Sequence, residues 1–380
     1  MLLHLGRVPV LVVSSADAAR DVLKTHDRVF ASRPRSKIIE KLLYNGRDVA
    51  SAPYGEYWRQ MKNVREEEIS LMMEKIRKSS PLRVNLSELL TTLTNDVICR
   101  VLMERFTRLL DVFSVGSYVP CLAWVDWIRG LDGQLEKTRT DFDEFLERVV
   151  QDHVDGDGDR NDFVDVLLAI QREKTVGFEI DRSSIKALIL DVFVGGTDTS
   201  SALMEWALTE LLRHPECLNR LQEEVRTICE GKSSVSEEDI QEMNYLKAVT
   251  KETLRLHPPL PLMVPHVSTQ DVMINAWAIG REVVTWGPDA EEFRPERHLD
   301  TPADFRGHDF ELIPFGAGRR ICPAISFAVV FNEVVLANLV HGFDWQSTED
   351  EIDVVESTGS VVHRMFPLRA SPVVRTPHAF

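Results

Sequence analysis

The 380-residue sequence carries 44 basic and 60 acidic side chains, a formal charge of −16, with 44% hydrophobic and 27% charged residues. This is a globular balance, too apolar for disorder and without a basic tract to neutralise phosphates, so nucleic-acid binding is excluded. The 19 Gly and 18 Pro show no period, which removes collagen-like and low-complexity classes.

Length alone admits either one large core or two domains. Cys99, Cys121, Cys217, Cys229 and Cys322 are odd in number and lack a CxxC pair. They make a poor disulfide framework and a poor zinc site, and imply a reducing compartment. The start, Met1 to Val13, carries His4, Arg7 and Pro9 and is too short for a transmembrane helix.

In chain order, Val8 to Val13 reads as a buried strand, and Ser15 as the cap of a helix over Ala16 to Thr25. Apolar spacing of three to four residues predicts helices over Leu86–Glu104, Thr138–His153, Phe163–Lys174, Ser183–His214 and Pro215–Glu230. Another runs over Ser234–Leu256, opened by a capping box from Ser234 to Glu237. The acidic run Asp152 to Asp162 fails as a calcium loop, because counting from Asp155 gives Arg160 at the sixth position and Val166 at the twelfth. After His257-Pro258-Pro259 strands are short and helices few until Ala324–His341, whose apolar run is broken by Asn332, Glu333 and His341. That interruption suits a helix packed inside protein, so no segment is expected to span a bilayer. The expectation is a single, mainly helical domain over 1–380, with β-rich parts near 1–15, 257–300 and 350–375.

Four places break local rules. The helix Ser183–His214, about 48 Å long at 1.5 Å per residue, carries Gly195-Gly196-Thr197-Asp198-Thr199-Ser200 midway. Two adjacent glycines cost roughly 1 kcal/mol each in a helix. They lie on the face of Thr199, leaving either a small-molecule groove or a close helix–helix contact. Glu252 and Arg255 share a helix face at i and i+3, a spacing usually occupied by a surface pair worth under ~1 kcal/mol. Arg297, in Phe293-Arg-Pro-Glu-Arg-His-Leu299, is a candidate third member of that network. Finally, Pro314-Phe-Gly-Ala-Gly-Arg-Arg-Ile-Cys-Pro-Ala324 places one thiol among two glycines and two arginines ahead of a helix. Positive charge and a helix N-terminus favour the thiolate, a metal ligand or nucleophile, whereas an isolated cysteine is usually a small buried group.

Taken together and in this order, the segments resemble the cytochrome P450 family, nearest its plant microsomal A-type (71-clan) members. Phe315-x-x-Gly318-x-Arg320-x-Cys322 is similar to the family's haem-binding loop. Glu252-x-x-Arg255 with Arg297 resembles its structural triad, and Gly195-Gly196-x-Asp198-Thr199 its oxygen-activation motif. Trp58-Arg59-Gln60-Met61-Lys62 resembles its Trp-x-x-x-Arg segment, with Lys62 in place of arginine. The resemblance implies the P450 fold, a long central helix over haem and a cysteine loop beneath, here incomplete. It implies haem b ligated by the Cys322 thiolate. Arg320, Trp58, Arg59 and Lys62 are then propionate-side residues; His266 is either another or a core histidine. Asp198 and Thr199 would deliver protons to dioxygen beside the Gly195–Gly196 groove.

The implied activity is insertion of one oxygen atom from O2 into an apolar plant specialised metabolite. NADPH-cytochrome P450 reductase would supply the electrons, docking on Arg59, Lys62, Arg319 and Arg320. The segments Lys37 to Ser51, Leu262 to Val264 and Gly359 to His363 would line the substrate. Rival readings are a non-catalytic remnant with weak or no haem binding, and a haem-thiolate isomerase acting on a hydroperoxide. The family is anchored on the cytosolic face of the endoplasmic reticulum, and this chain, lacking the anchor, is expected to be soluble or peripheral. The sequence departs from the family pattern after Lys62, around Phe106 to Leu110, and between Asp271 and Val272, where a β-hairpin is expected. Ala324 and His298 also replace a glycine and an aromatic. Loss of the hairpin is expected to expose strand edges.

Overall fold

A computed structural model describes residues 1–59, 61–62, 102–156, 163–173, 180–299, 301, 303–347 and 351–374. The chain divides into two compact units, each assembled from three stretches. Unit 1 comprises 1–12, 28–196 and 264–273; unit 2 comprises 13–27, 197–263 and 274–380. The helix expected over Leu86–Glu104 falls largely outside the described residues, as does most of the Asp152 to Asp162 loop. Residues 102–110 are helical.

Unit 1 holds a four-stranded sheet in the order β1-β2-β4-β3, with β1 Leu2–Leu5, β2 Val8–Val13, β3 His266–Val267 and β4 Asp271–Ile274. The alternation of Val8 to Val13 buries Val10 and Val12 on one face, as period-two chemistry requires. The expected hairpin is replaced by a short turn, in which the Ser268 N–H donates to the Gln270 carbonyl and His266 faces Val272. The outer edge of β3 is not left open there: the Val267 N–H donates to the Ser32 carbonyl at 3.0 Å. This corrects the expected exposed edge at that point, because a neighbouring loop supplies the missing partner.

Helix α1, Ala16–Arg20, belongs to unit 2, and the described helices of unit 1 include α2 Lys37–Leu42, α3 Leu131–Asp155 and α4 Phe163–Glu173. Leu135, Phe142, Leu146 and Val150 recur at intervals of seven, four and four residues along α3, and all are buried. They form two apolar clusters, one with Phe106 and Leu131, the other with Trp58, Leu167 and Leu188.

Helix α5, Arg182–Arg213, is 32 residues long and supplies residues to both units, as the periodicity predicts to within one residue at each end. Unit 2 continues with α6 Pro215–Ile228, α7 Asn244–Leu256 and α8 Ile325–Gly342, and a two-stranded sheet of β5 Phe343–Ser347 and β6 Ala370–Val374. Cys217, Leu218, Leu221 and Val225 of α6 pack with Leu246 and Val249 of α7 and Leu336, Ala337 and Val340 of α8.

Two helix starts differ from expectation. Ser15 occupies the N-cap of α1, yet its side chain makes no capping bond, and the helix widens into a π-type turn over Asp21–Thr25. The Ser234–Glu237 capping box does not form. Ser236 instead donates through N–H and Oγ to Asp239, and α7 begins ten residues later. Its first amides, Tyr245 N–H and Leu246 N–H, donate to the two oxygens of Glu224 on α6 at 2.8 and 2.9 Å. A carboxylate from a neighbouring helix thus does the work of a local cap.

By length and composition α5 and α8 are apolar enough to cross a membrane. However, α8 buries Asn332 and Glu333, and its Leu336, Ala337 and Val340 pack against α6 and α7.

Candidate active site

The Cys322 loop is set by backbone geometry. Gly316 and Gly318 adopt φ of +74° and +65°, the left-handed region that side chains resist. At Gly318 a Cβ would stand 1.9 Å from the Leu23 carbonyl oxygen, so glycine is required both by φ and by this close approach. The Cys322 N–H donates to the Phe315 carbonyl at 2.9 Å, closing the loop immediately before α8. Cys322 is half-buried and forms no disulfide. Phe315 meets Phe305 edge-on at 5.6 Å, and both belong to a cluster with Leu203, Leu254, Leu312, Val329 and Ile325.

Leu203 of α5 shares that cluster with Phe315 and Ile325, which lie on either side of Cys322 in sequence. Thr199 stands four residues earlier on the same helix face. Asp198 and Thr199 are half-exposed, whereas Ala202, Leu203, Trp206 and Ala207 on the following turns are buried. At Gly195 and Gly196 a Cβ would meet no heavy atom of the described residues within 4 Å.

Glu252 and Arg255 form no surface pair. Both are buried, and the carboxylate accepts five hydrogen bonds: Arg255 Nε and Nη2 at 2.7 Å, Arg297 Nε and His298 Nε2 at 2.8 Å, and the Arg294 N–H at 2.9 Å. Arg255 also donates to the carbonyls of Gly280, Ala290 and Glu292, and Arg297 to those of Trp286 and Asp289. The Arg255 guanidinium lies 5.1 Å from the Trp286 ring centroid. Burial pushes the Glu252 carboxyl up, but the Arg255 and His298 hydrogen bonds outweigh it and hold it at about 2. Burial keeps His298 below the ordinary histidine range, against the pull of Glu252. A carboxylate only accepts, so the neutral His298 carries its proton on Nε2. Sequence reasoning noted His298 only as a departure; it is a fourth side chain of the network.

The remaining predicted residues are placed as follows. Trp58 is buried and its indole N–H donates to the Val49 carbonyl at 3.0 Å, with Lys62 Nζ 5.6 Å from its ring. Arg59 is exposed and Arg320 half-buried. His266 is buried in β3, its Nδ1 2.8 Å from the Phe30 carbonyl, the setting of a core histidine. Arg319 is paired with Asp27 at 3.0 Å. Sequence reasoning missed a second polar cluster on α5, where His363 bridges Asp198 and Glu205 at 3.1 and 3.2 Å. The only signal for it was the spacing of two acids seven residues apart on one helix face. Among the described residues no group of His, Cys, Asp and Glu could hold a bare metal ion.

A single soft thiolate donor at the head of a helix, with an acid and a hydroxyl on a helix of the same unit, fits a haem iron rather than a naked cation. The model of the cytochrome P450 family matches residues 1–366. The chain belongs to the cytochrome P450 family. It is 71% identical to "Cytochrome P450 71A26" of Arabidopsis thaliana over 97% of this chain and 86% of that one. It is 69% identical to "Cytochrome P450 71A22" of the same plant, over 97% and 85%. A solved zebrafish cytochrome P450 with progesterone superposes at a TM-score of 0.77 and 23% identity, covering 98% of this chain and 96% of that one. The P450 fold expected from the sequence is therefore present. The chain is a haem-thiolate monooxygenase whose cofactor is haem b, and it stands among the plant 71-series members.

Proposed function

We propose that Cys322 is the proximal thiolate, that Asp198 and Thr199 serve proton delivery, and that Glu252, Arg255 and Arg297 hold the scaffold behind the cysteine loop. Bound haem supplies oxygen activation, and the thiolate's electron density favours O–O cleavage. The carrying observation is the half-buried Cys322 on a loop closed by its own amide, which packs through Phe315 and Ile325 against the Leu203 turn of α5. The side chains of Asp198 and Thr199 orient water and move protons there, while the Gly195–Gly196 face leaves room for a small molecule. Arg320, Lys62 and Arg59 are the cations available to propionates, and Phe315 and Gly318 shape the loop. Trp58 and His266, whose ring nitrogens meet backbone carbonyls, would serve the same wall by packing.

The substrate is an apolar small molecule of plant specialised metabolism, and NADPH-cytochrome P450 reductase the electron donor. The cytosolic face of the endoplasmic reticulum is the expected working surface. A second reading is favoured by one observation: the alignment to Cytochrome P450 71A26 spans 418 residues, more than the 380 of this chain, so that relative carries internal segments absent here. On this reading the shortened chain binds haem weakly or not at all. Haem content of the purified protein, and the Soret band of its ferrous–carbon monoxide form, decide between them. A red-shifted band that is lost in Cys322→Ser supports thiolate ligation by Cys322. Absence of haem rejects catalysis by this form, and an unchanged band in Cys322→Ser rejects the ligand assignment.

A further inference from the structure

His363 lies between two carboxylates of α5, its Nε2 3.1 Å from Asp198 Oδ1 and its Nδ1 3.2 Å from Glu205 Oε2. A neutral imidazole has a single N–H, so one of these carboxylates would then face a lone pair. Only the doubly protonated ring satisfies both contacts. Asp198 and Glu205 are seven residues apart, about 10 Å along the helix axis at 1.5 Å per residue, and the ring draws them onto one cation. The segment bearing His363 is itself fixed. Trp206 Nε1 donates to the Val362 carbonyl at 2.9 Å, the Val362 N–H to the Pro259 carbonyl at 2.9 Å, and the Arg364 N–H to Glu205 Oε2 at 3.2 Å. Trp206 in turn stacks on His257 at 4.0 Å with an interplanar angle of 1°.

We propose that His363, as an imidazolium, is a positioning residue that fixes the Asp198 carboxylate and ties it to the segment 359–363. The proposal rests on the reading of Asp198 as the acid that serves proton delivery. A carboxylate held by a charged donor keeps one rotamer; with the ring neutral, Asp198 and Glu205 are like charges sharing a neutral neighbour. Among the described residues the charged groups facing the ring are those two acids, since the Arg364 guanidinium is turned to Asp353. Hydrogen bonds that His363 donates to Asp198 and Glu205 raise it to about 9. The arrangement therefore holds through neutral pH and is released as pH rises through that value. Because segment 359–363 is expected to line the substrate, its position bears directly on the acid.

The test uses two spectroscopic readouts on the full chain with haem bound. In the first, the 15N-histidine spectrum of the diamagnetic ferrous–carbon monoxide protein is titrated, the His363 signal being the one absent from His363→Gln. A midpoint near pH 9, falling by at least one pH unit in Asp198→Asn, supports the ion pair; a ring already neutral at pH 7.5 overturns it. In the second, carbon monoxide is the probe, and its infrared stretch reports the polar groups beside the bound diatomic. The stretch is expected to change with a midpoint near pH 9, to lose that dependence in His363→Gln, and to be restored at neutral pH by His363→Arg. If Asp198→Asn shifts the stretch but His363→Gln does not, the positioning role is wrong and Asp198 keeps its own. If Asp198→Asn leaves the stretch unmoved while His363 titrates near 9, the underlying reading of Asp198 fails instead.

Discussion

Glu252→Gln is the most informative single change for the scaffold. One of the two oxygens that together accept five hydrogen bonds becomes an amide NH2, which must point at Arg255 together with Arg297 or His298. Donor then faces donor, and two buried guanidiniums lose their counter-charge. Breaking such a buried pair from one side costs about 3–5 kcal/mol. Linkage gives a figure of the same order. Glu252 is lowered from 4.5 to about 2, which at about 1.4 kcal/mol per pH unit corresponds to roughly 3 kcal/mol. Because its folded value is depressed, that contribution is complete above pH 4.5 and is lost as pH falls through 2. Net stabilities are about 5–15 kcal/mol, so either figure is a large fraction of the total. The assay is guanidinium unfolding at pH 7 followed by far-ultraviolet circular dichroism. With a dependence of roughly 4 kcal/mol per molar, the midpoint should fall by about 1 M at unchanged slope. Between pH 4.5 and 2 the parent should lose stability relative to the variant, narrowing the gap between them. A midpoint change equivalent to less than 1 kcal/mol, or a constant gap through that acid window, would refute the buried-network argument.

Gly318→Ala must move a Cβ away from the Leu23 carbonyl and hold alanine at φ +65°. We expect a loss of roughly 2–4 kcal/mol, read as a lower thermal midpoint with earlier haem release; an unchanged midpoint would show that the loop relaxes freely. Gly196→Ala should act in the opposite sense on stability. Its Cβ meets nothing within 4 Å, so helix propensity should stabilise the protein by about 1 kcal/mol while the methyl fills the groove and weakens small-molecule binding. A lower thermal midpoint would mean that the position is not open. Glu224→Gln leaves the two leading amides of α7 without a charged acceptor and should cost about 1–2 kcal/mol in urea unfolding, with no shift in the Soret band.

What could be read from the sequence was what local chemistry decides. The periodicity of α5 and α6 fixed their ends to within one or two residues, because their apolar faces pack directly on neighbours. The start of α7 was misplaced because its cap comes from Glu224, twenty residues earlier in the chain, while Ser236 and Asp239 spend their hydrogen bonds on each other. Glu252 and Arg255 were legible as a pair but not as a buried one. Their burial depends on the carbonyls of Gly280, Ala290 and Glu292, which only folding brings to the guanidinium. His298 and His363 were visible as letters without partners. Each takes its meaning from carboxylates about 46 to 165 residues distant in the chain.

The stretches where the family pattern is expected to be shortened, after Lys62, around Phe106 to Leu110 and at the Asp271–Val272 junction, fall in unit 1, whereas the Cys322 loop, Asp198, Thr199 and the Glu252 network fall in unit 2, where the departures are the single replacements Ala324 and His298. The proposed ligand loop and proton-handling acid hold hydrogen bonds within unit 2, from the Cys322 N–H to the Phe315 carbonyl and between His363 and Asp198. The candidate propionate residues Trp58, Arg59 and Lys62, by contrast, sit beside one of the departures. This separates two properties that usually fail together. Thiolate ligation should survive, giving the red-shifted ferrous–carbon monoxide band, while haem should be lost to an apomyoglobin scavenger faster than from Cytochrome P450 71A26 under the same conditions. Retention as tight as in that relative would show that unit 1 contributes little to holding the cofactor. Bound haem with no thiolate band would show instead that the damage reaches Cys322, and the independence argued from the two units would be wrong.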